Sequence, residues 1–76
     1  MANLRRIGDF VEIPLASETT GDVTGTIRWI NFRQIAVMFR HTLTNADTTR
    51  FEGGAGSSNF GHDTQATIEE ILGSAS

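Results

Sequence analysis

The chain of 76 residues has no cysteine, no lysine and no tyrosine, and it has one proline. Without cysteine, neither a disulfide nor a thiolate metal site can support the fold. The two histidines, His41 and His62, are too few for a structural zinc site, which normally takes four protein ligands. We therefore expect no metal and no cofactor. Because the core of so short a domain is marginal, association with further copies of the chain is the expected support.

Long apolar runs are also missing. No stretch approaches the ~20 apolar residues that a membrane-spanning helix requires. Two arginines near the N-terminus, Arg5 and Arg6, are not followed by the apolar stretch of a secretory signal. We expect a cytoplasmic protein with no membrane partner.

The charge is acidic overall and unevenly distributed. The formal net charge is -3, and no basic residue follows position 50. The six basic residues are Arg5, Arg6, Arg28, Arg33, Arg40 and Arg50. An acidic chain is a poor general binder of polyanions, so the net charge disfavours nucleic acid as a partner.

Alternating apolar and polar residues predict four strands, over residues 10–15, 23–30, 35–43 and 48–52. Pro14 cannot donate to a ladder, which predicts that the first of these strands lies at a sheet edge. Gly25 predicts a bulge or a sharp bend in the second. Residues 1–8 are expected to be a flexible lead-in, and residues 53–62 a flexible loop rich in glycine and serine.

A short helix is predicted over residues 64–72. Asp63 or Thr64 can cap its start, and the spacing of Thr67 and Glu70 offers a capping box as an alternative start. Gly73 is a natural stop. Together these elements predict one mainly β domain over residues 1–76: a small curled sheet or SH3-like barrel of four to five strands, with one short C-terminal helix.

The most informative segment is Ile35–Phe39, which is apolar on both faces of a strand. A strand buried on one side alternates with polar residues, whereas one buried on both sides does not. The segment therefore predicts a central strand, covered on one face by the helix and on the other by barrel closure or a second subunit. The hypothesis that follows is a self-association surface centred on Ile30, Ala36 and Met38.

Two arginines and two aromatics interleave between residues 28 and 33, which offers an alternative. Arginines paired with phosphates and bases stacked on aromatics hold single-stranded nucleic acid. Arg28, Phe32 and Arg33 are the candidate residues for this function. Trp29 shares a predicted face with Ile27, which favours a place in the core for the indole.

A small enzyme using His41 or His62 is a second alternative. Ser57, Ser58, His62 and Asp63 include the residue types of a hydrolytic triad, but a triad needs a rigid scaffold and an oxyanion hole. A flexible loop offers neither. The sequence thus favours a non-catalytic binding module that self-associates, in the manner of an accessory or assembly protein. A different protein partner remains open, and neither the ligand nor the number of subunits is specified.

Overall fold

The computed structural model describes residues 4–55 and 58–75. Within them, six strands form one open antiparallel sheet, followed by one α-helix, which confirms the mainly β class but gives more strands than the four to five predicted. The strands are β1 (Arg6–Ile7), β2 (Phe10–Ala16), β3 (Val23–Asn31), β4 (Ile35–Thr42), β5 (Asp47–Ala55) and β6 (Ser58–Thr64). A 3-10 turn over Phe32–Gln34 joins β3 to β4, and the helix α1 spans Ile68–Ala75.

Strand β2 is the organising strand of the sheet. It pairs with β3 along one edge, while β1 and β6 share its other edge. Strands β6, β5 and β4 then continue the sheet as a meander. The prediction that Pro14 marks an edge strand is wrong. Pro14 lies between the β1 and β6 pairings, where its missing N–H removes no ladder bond, and its carbonyl accepts from the Thr64 hydroxyl at 2.6 Å.

The core forms on one face of this curled sheet. The alternation in β2 turns Val11, Ile13 and Leu15 inward, where they meet Ile30 and Phe51. Phe51 is fully buried. Burial of these side chains is the main favourable term in folding, because it removes apolar surface from water.

Strand β4 pairs only with β5 among the described residues, so the prediction of a central strand is wrong. A register shift between Ile35 and Val37 changes which side chains face inward. Ile35 and Met38 pack against the core, whereas Val37 and Phe39 point outward and are 45% and 42% exposed. The strand is apolar on both faces as expected, but within one chain only one face is covered.

Two glycines shape the sheet, one through its backbone conformation and the other through a close backbone approach. Gly25 has a φ of +85° at a register shift between β2 and β3, which confirms the predicted bulge. Gly53 lies in β5, where a Cβ atom would stand 1.8 Å from the Gln34 carbonyl oxygen. The prediction of a flexible loop over 53–62 is wrong, because β5 runs to Ala55, β6 begins at Ser58, and the two strands pair as a hairpin. Residues 56 and 57 lie outside the described residues.

The N-terminal segment also has more structure than predicted. Leu4 packs against the core, and the two residues of β1 pair with Val11 and Phe10 at the start of β2. The proposed lead-in is ordered from Leu4 onward. Residues 1–3 lie outside the described residues.

The helix begins at its alternative start. The Glu70 amide donates to the Thr67 hydroxyl at 3.1 Å, and the Thr67 amide donates to the Glu70 carboxylate at 2.9 Å. This reciprocal pair is the capping box. Asp63 and Thr64 instead belong to β6, and the helix continues through Gly73. In the part of the chain that the structure describes, no helix has the length and apolar character needed to span a bilayer.

The substitution Thr67→Ala is expected to lower the free energy of unfolding by about 1 kcal/mol, since it removes the hydroxyl that accepts from the Glu70 amide. Urea unfolding followed by circular dichroism measures this loss. Thr67→Ser, which keeps the hydroxyl, is the control and should remain close to the original stability. Equal losses in both variants would contradict the capping role.

Candidate binding surface

The outer face of β1, β2 and β3 carries large apolar side chains. In β2 the residues that alternate with the core positions, including Phe10, point outward. Partners directly opposite each other in an antiparallel pair share a face. Ile7 is opposite Phe10, Trp29 is opposite Glu12, and Ile27 is opposite Pro14. The register of three strands therefore collects these side chains on one side.

We name Ile7, Phe10, Ile27 and Trp29 the outer apolar surface. Their exposed fractions are 64%, 46%, 57% and 39%. Single exposed apolar residues are ordinary, but a contiguous set marks a site of interaction. The expectation that Trp29 lies in the core is wrong, because its partner Glu12 belongs to the outward positions of β2.

A positive charge lies over this surface. The Arg5 guanidinium is 5.8 Å from the centroid of the Trp29 ring, within cation–π range. Its distance to the Glu12 carboxylate is 3.9 Å. The Arg5 side chain is 72% exposed and that of Glu12 only 26%, so Arg5 is the charge that an approaching molecule meets first.

The three residues predicted for self-association do not share one exposed surface. Ile30 pairs with Val11 and is buried with it in the core. Met38 is half-buried against the same core, and only Ala36 is exposed. Their exposure differs because the register shift in β4 separates Ala36 from the inward positions of the strand.

The three residues predicted for nucleic-acid binding are also placed apart. Phe32 is partly buried against the core. Arg33 pairs with Asp9 at 3.0 Å. Arg28 is opposite Ile13, on the face away from Trp29. No stacking platform forms from Arg28, Phe32 and Arg33.

A buried carboxylate connects β4, β5 and β6 on the side of the sheet opposite to Phe51. Asp63 is 1% exposed. Its Oδ2 accepts from the Thr48 hydroxyl at 2.6 Å and from His41 Nδ1 at 2.8 Å, while Oδ1 accepts from Arg50 at 2.9 Å. We name these four residues the Asp63 network. Since an ionised carboxylate can only accept, the proton of the His41 imidazole lies on Nδ1 if the ring is neutral.

The electrostatics of the network favour its charged form. Burial alone would raise the pKa of Asp63, but the hydrogen bonds from Thr48, Arg50 and His41 outweigh it and lower that pKa below its usual value. The hydrogen bond to Asp63, followed by that to Glu18, raises the pKa of Arg50 above its ordinary value. Arg50 also pairs with Glu52, at 3.0 Å.

His62 has a different environment from His41. Its ring stacks on Phe60 with the centroids 5.9 Å apart, and it lies 5.8 Å from the Phe51 ring. Burial, followed by the nearby charge of Arg28, lowers the pKa of His62 below its usual value. Consecutive strand residues point to opposite faces, so His62 does not share the outward side of Asp63.

The pairing of His41 with a carboxylate has the geometry of an acid–base pair. The hydroxyl of the network, on Thr48, is buried and already donates to Asp63. The Thr48 hydroxyl therefore has a structural role and is not positioned as a nucleophile. Ser57 of the candidate triad lies outside the described residues. Within the ranges 4–55 and 58–75, no cluster of three or more histidine, aspartate or glutamate side chains is placed to hold a metal ion.

An open groove of about 590 Å³ lies beside the network, on the hairpin of β5 and β6. Three glycines form its floor, Val37 and Ala36 form a wall, and Arg50 and Glu52 lie along it. We name it the glycine groove. The floor glycines are Gly53, Gly54 and Gly61. At Gly61 a Cβ atom would lie 2.5 Å from Arg50 Nη2, so the missing side chain makes room for the guanidinium.

Sequence reasoning missed both the outer apolar surface and the glycine groove. Phe10 was recognisable as the residue that alternates with the β2 core positions, but its neighbours on β1 and β3 depend on strand pairing. The groove could not be predicted, because a glycine-rich segment favours a loop when it is considered without the rest of the fold. Comparison of the chain with protein-family models, with curated proteins and with solved structures finds no match.

Proposed function

We propose that this chain is a non-catalytic binding module that associates with further copies of itself through the outer apolar surface. The observation that carries the proposal is the contiguous exposure of Ile7, Phe10, Ile27 and Trp29 on three paired strands. A cytoplasmic accessory or assembly protein is the role that such a module fits.

Energetics support association at this surface. Fully burying a large apolar side chain contributes about 1.5–3 kcal/mol, and each of the four is already partly covered. Tryptophan is among the residues that dominate binding energy at protein interfaces. Trp29 projects from the paired strand β3 and lies within cation–π range of the Arg5 guanidinium.

A protein partner is favoured over nucleic acid by the charges at the surface. Arg5 is accompanied by Glu12, and the nearby Arg33 is paired with Asp9. Binding of a phosphate backbone depends on several uncompensated cations. Catalysis is disfavoured because the His41–Asp63 pair belongs to a network that satisfies its own members.

Sedimentation of the wild-type chain at micromolar concentration is expected to show a mass above the 8.3 kDa of one copy. Trp29→Ala should weaken association by at least about 30-fold, as expected for a hot-spot residue worth about 2 kcal/mol. Leu72→Ala, which trims an exposed apolar residue outside the surface, is the control and should assemble like the wild type.

A wild-type chain that sediments only as monomer across the concentration range would end the proposal. Its nucleic-acid alternative can be tested with the same protein. The chain has one tryptophan, so fluorescence reports on Trp29 alone. Mixed single-stranded oligonucleotides at low salt are expected to leave this fluorescence unchanged, and a salt-sensitive quench would favour the alternative.

A further inference from the structure

We infer that the outer apolar surface of one copy binds the glycine groove of the next, so that the copies associate head to tail. The inference rests on the proposed function and names the receiving surface. Trp29 with Arg5 would be the inserted part, and the groove beside Val37 the receptor.

The shape of the groove suits a flat side chain. Gly54 leaves part of the floor without a side chain, the Arg50 guanidinium lies against Gly61, and Phe60 adds an aromatic ring to the lining. Val37, 45% exposed, supplies an apolar wall. An indole entering there would cover Val37 and gain van der Waals contact with the floor.

The charges of the two surfaces are complementary. Beside the groove, the guanidinium of Arg50 faces three carboxylates, those of Glu18, Glu52 and Asp63. The side chains of Glu18 and Glu52 are 58% and 45% exposed, so the excess negative charge is open to solvent. On the other surface the Arg5 side chain is 72% exposed and that of its partner Glu12 only 26%, so the cation is the outer charge of that pair. Opposite charges across an interface fix its register and suppress wrong pairings.

Pairing of the outer apolar surface with itself is less favourable. In an interface with two-fold symmetry, the outer apolar surface of one copy contacts the same surface of the other copy. In that arrangement the exposed carboxylates beside the glycine groove, Glu18 and Glu52, receive no cation from the other copy. The two surfaces lie on different strands of the sheet, β1–β3 and β4–β6. Such a heterologous contact gives a ring if the rotation closes and a filament if it does not.

Mixing two defective variants tests the inference. Val37→Arg blocks the groove with a bulky cation but keeps Trp29, whereas Trp29→Ala keeps the groove. Each variant alone is expected to be monomeric. An equimolar mixture should form a heterodimer of twice the monomer mass, because one intact groove then meets one intact tryptophan. The fluorescence of the remaining tryptophan should shift to the blue only in the mixture.

Val37→Thr keeps the size and branching of the wall and is the matched control, expected to assemble like the wild type. Circular dichroism and thermal melting establish that Val37→Arg folds, and Ala36→Arg on the same wall replaces it if it does not. Glu52→Gln is expected to weaken assembly several-fold at low salt and less at high salt.

The outcomes separate the two proposals. A monomeric wild type overturns the proposed function, and the head-to-tail contact with it. A wild type that assembles through Trp29, together with folded groove variants that also assemble, overturns the head-to-tail contact alone. A mixture of Trp29→Ala and Val37→Arg that stays monomeric would also overturn the head-to-tail contact alone.

Discussion

Replacing Phe51 with alanine is expected to leave a large fraction of the chain unfolded in water at 25 °C. Phe51 is fully buried, and its ring lies 6.2 Å from that of Phe60 and 5.8 Å from that of His62. Phenylalanine-to-alanine changes in a core cost about 3–5 kcal/mol, from lost burial and from the cavity left behind. A domain of this size has a free energy of unfolding of about 5 kcal/mol.

Urea titration of the Phe51→Ala variant, followed by circular dichroism, measures the effect. Phe39→Ala is the matched control, because the same atoms are removed from an outward position on the neighbouring strand that is 42% exposed. It should lose about 1 kcal/mol or less, as surface substitutions commonly do. Similar losses for the two variants would mean that Phe51 is not at the centre of the core.

Replacing Asp63 with asparagine is expected to destabilise the chain by about 3 kcal/mol, near the lower end for breaking a buried ion pair. Asparagine keeps the shape but places an N–H₂ group where the carboxylate accepts from Thr48, His41 and Arg50. An NH₂ group facing Arg50 opposes another donor, and one facing Thr48 and His41 requires the hydroxyl to turn and the imidazole proton to leave Nδ1. The loss stays near the low end because Arg50 retains Glu18 and Glu52.

The same carboxylate makes stability depend on pH. The pKa of Asp63 in the folded chain is lower than its unfolded value of about 3.9. Its contribution is therefore fully present above that unfolded value and is lost as the pH falls through the folded pKa. Free energies of unfolding measured between neutral pH and strong acid should fall more steeply for the wild type than for Asp63→Asn.

Asp47→Asn is the control for both measurements, since Asp47 is an exposed aspartate at the start of β5. It should keep both the neutral stability and the acid slope of the wild type. An Asp63→Asn chain as stable as the wild type, or with an unchanged acid slope, would mean that the network contributes nothing net to folding.

Several strands could be predicted because their signal is local. The alternation of Val11, Ile13 and Leu15 with outward residues determines both the strand and its buried face. The capping box of Thr67 and Glu70 is equally local, since both hydrogen bonds form within one helical turn. The bulge at Gly25 follows from the freedom of glycine at positive φ.

The Asp63 network could not be predicted in the same way. Its members come from β4, β5 and β6, and the separation of 22 positions between His41 and Asp63 carries no sign that the two side chains meet. Their meeting depends on the register of the meander. A slip of one residue would turn Asp63 to the opposite face.

The sequence by itself determined the mainly β class, the inward residues of β2, the presence of a C-terminal helix and a strand with apolar residues on both faces, because each depends on spacing along the chain. Only the tertiary structure decided which side chains are left uncovered. It buried Ile30, exposed Trp29 beneath Arg5, and made the glycine-rich segment the floor of a groove. The physical reason is that exposure depends on which strands pair and in what register, and pairing is settled between segments far apart in the chain.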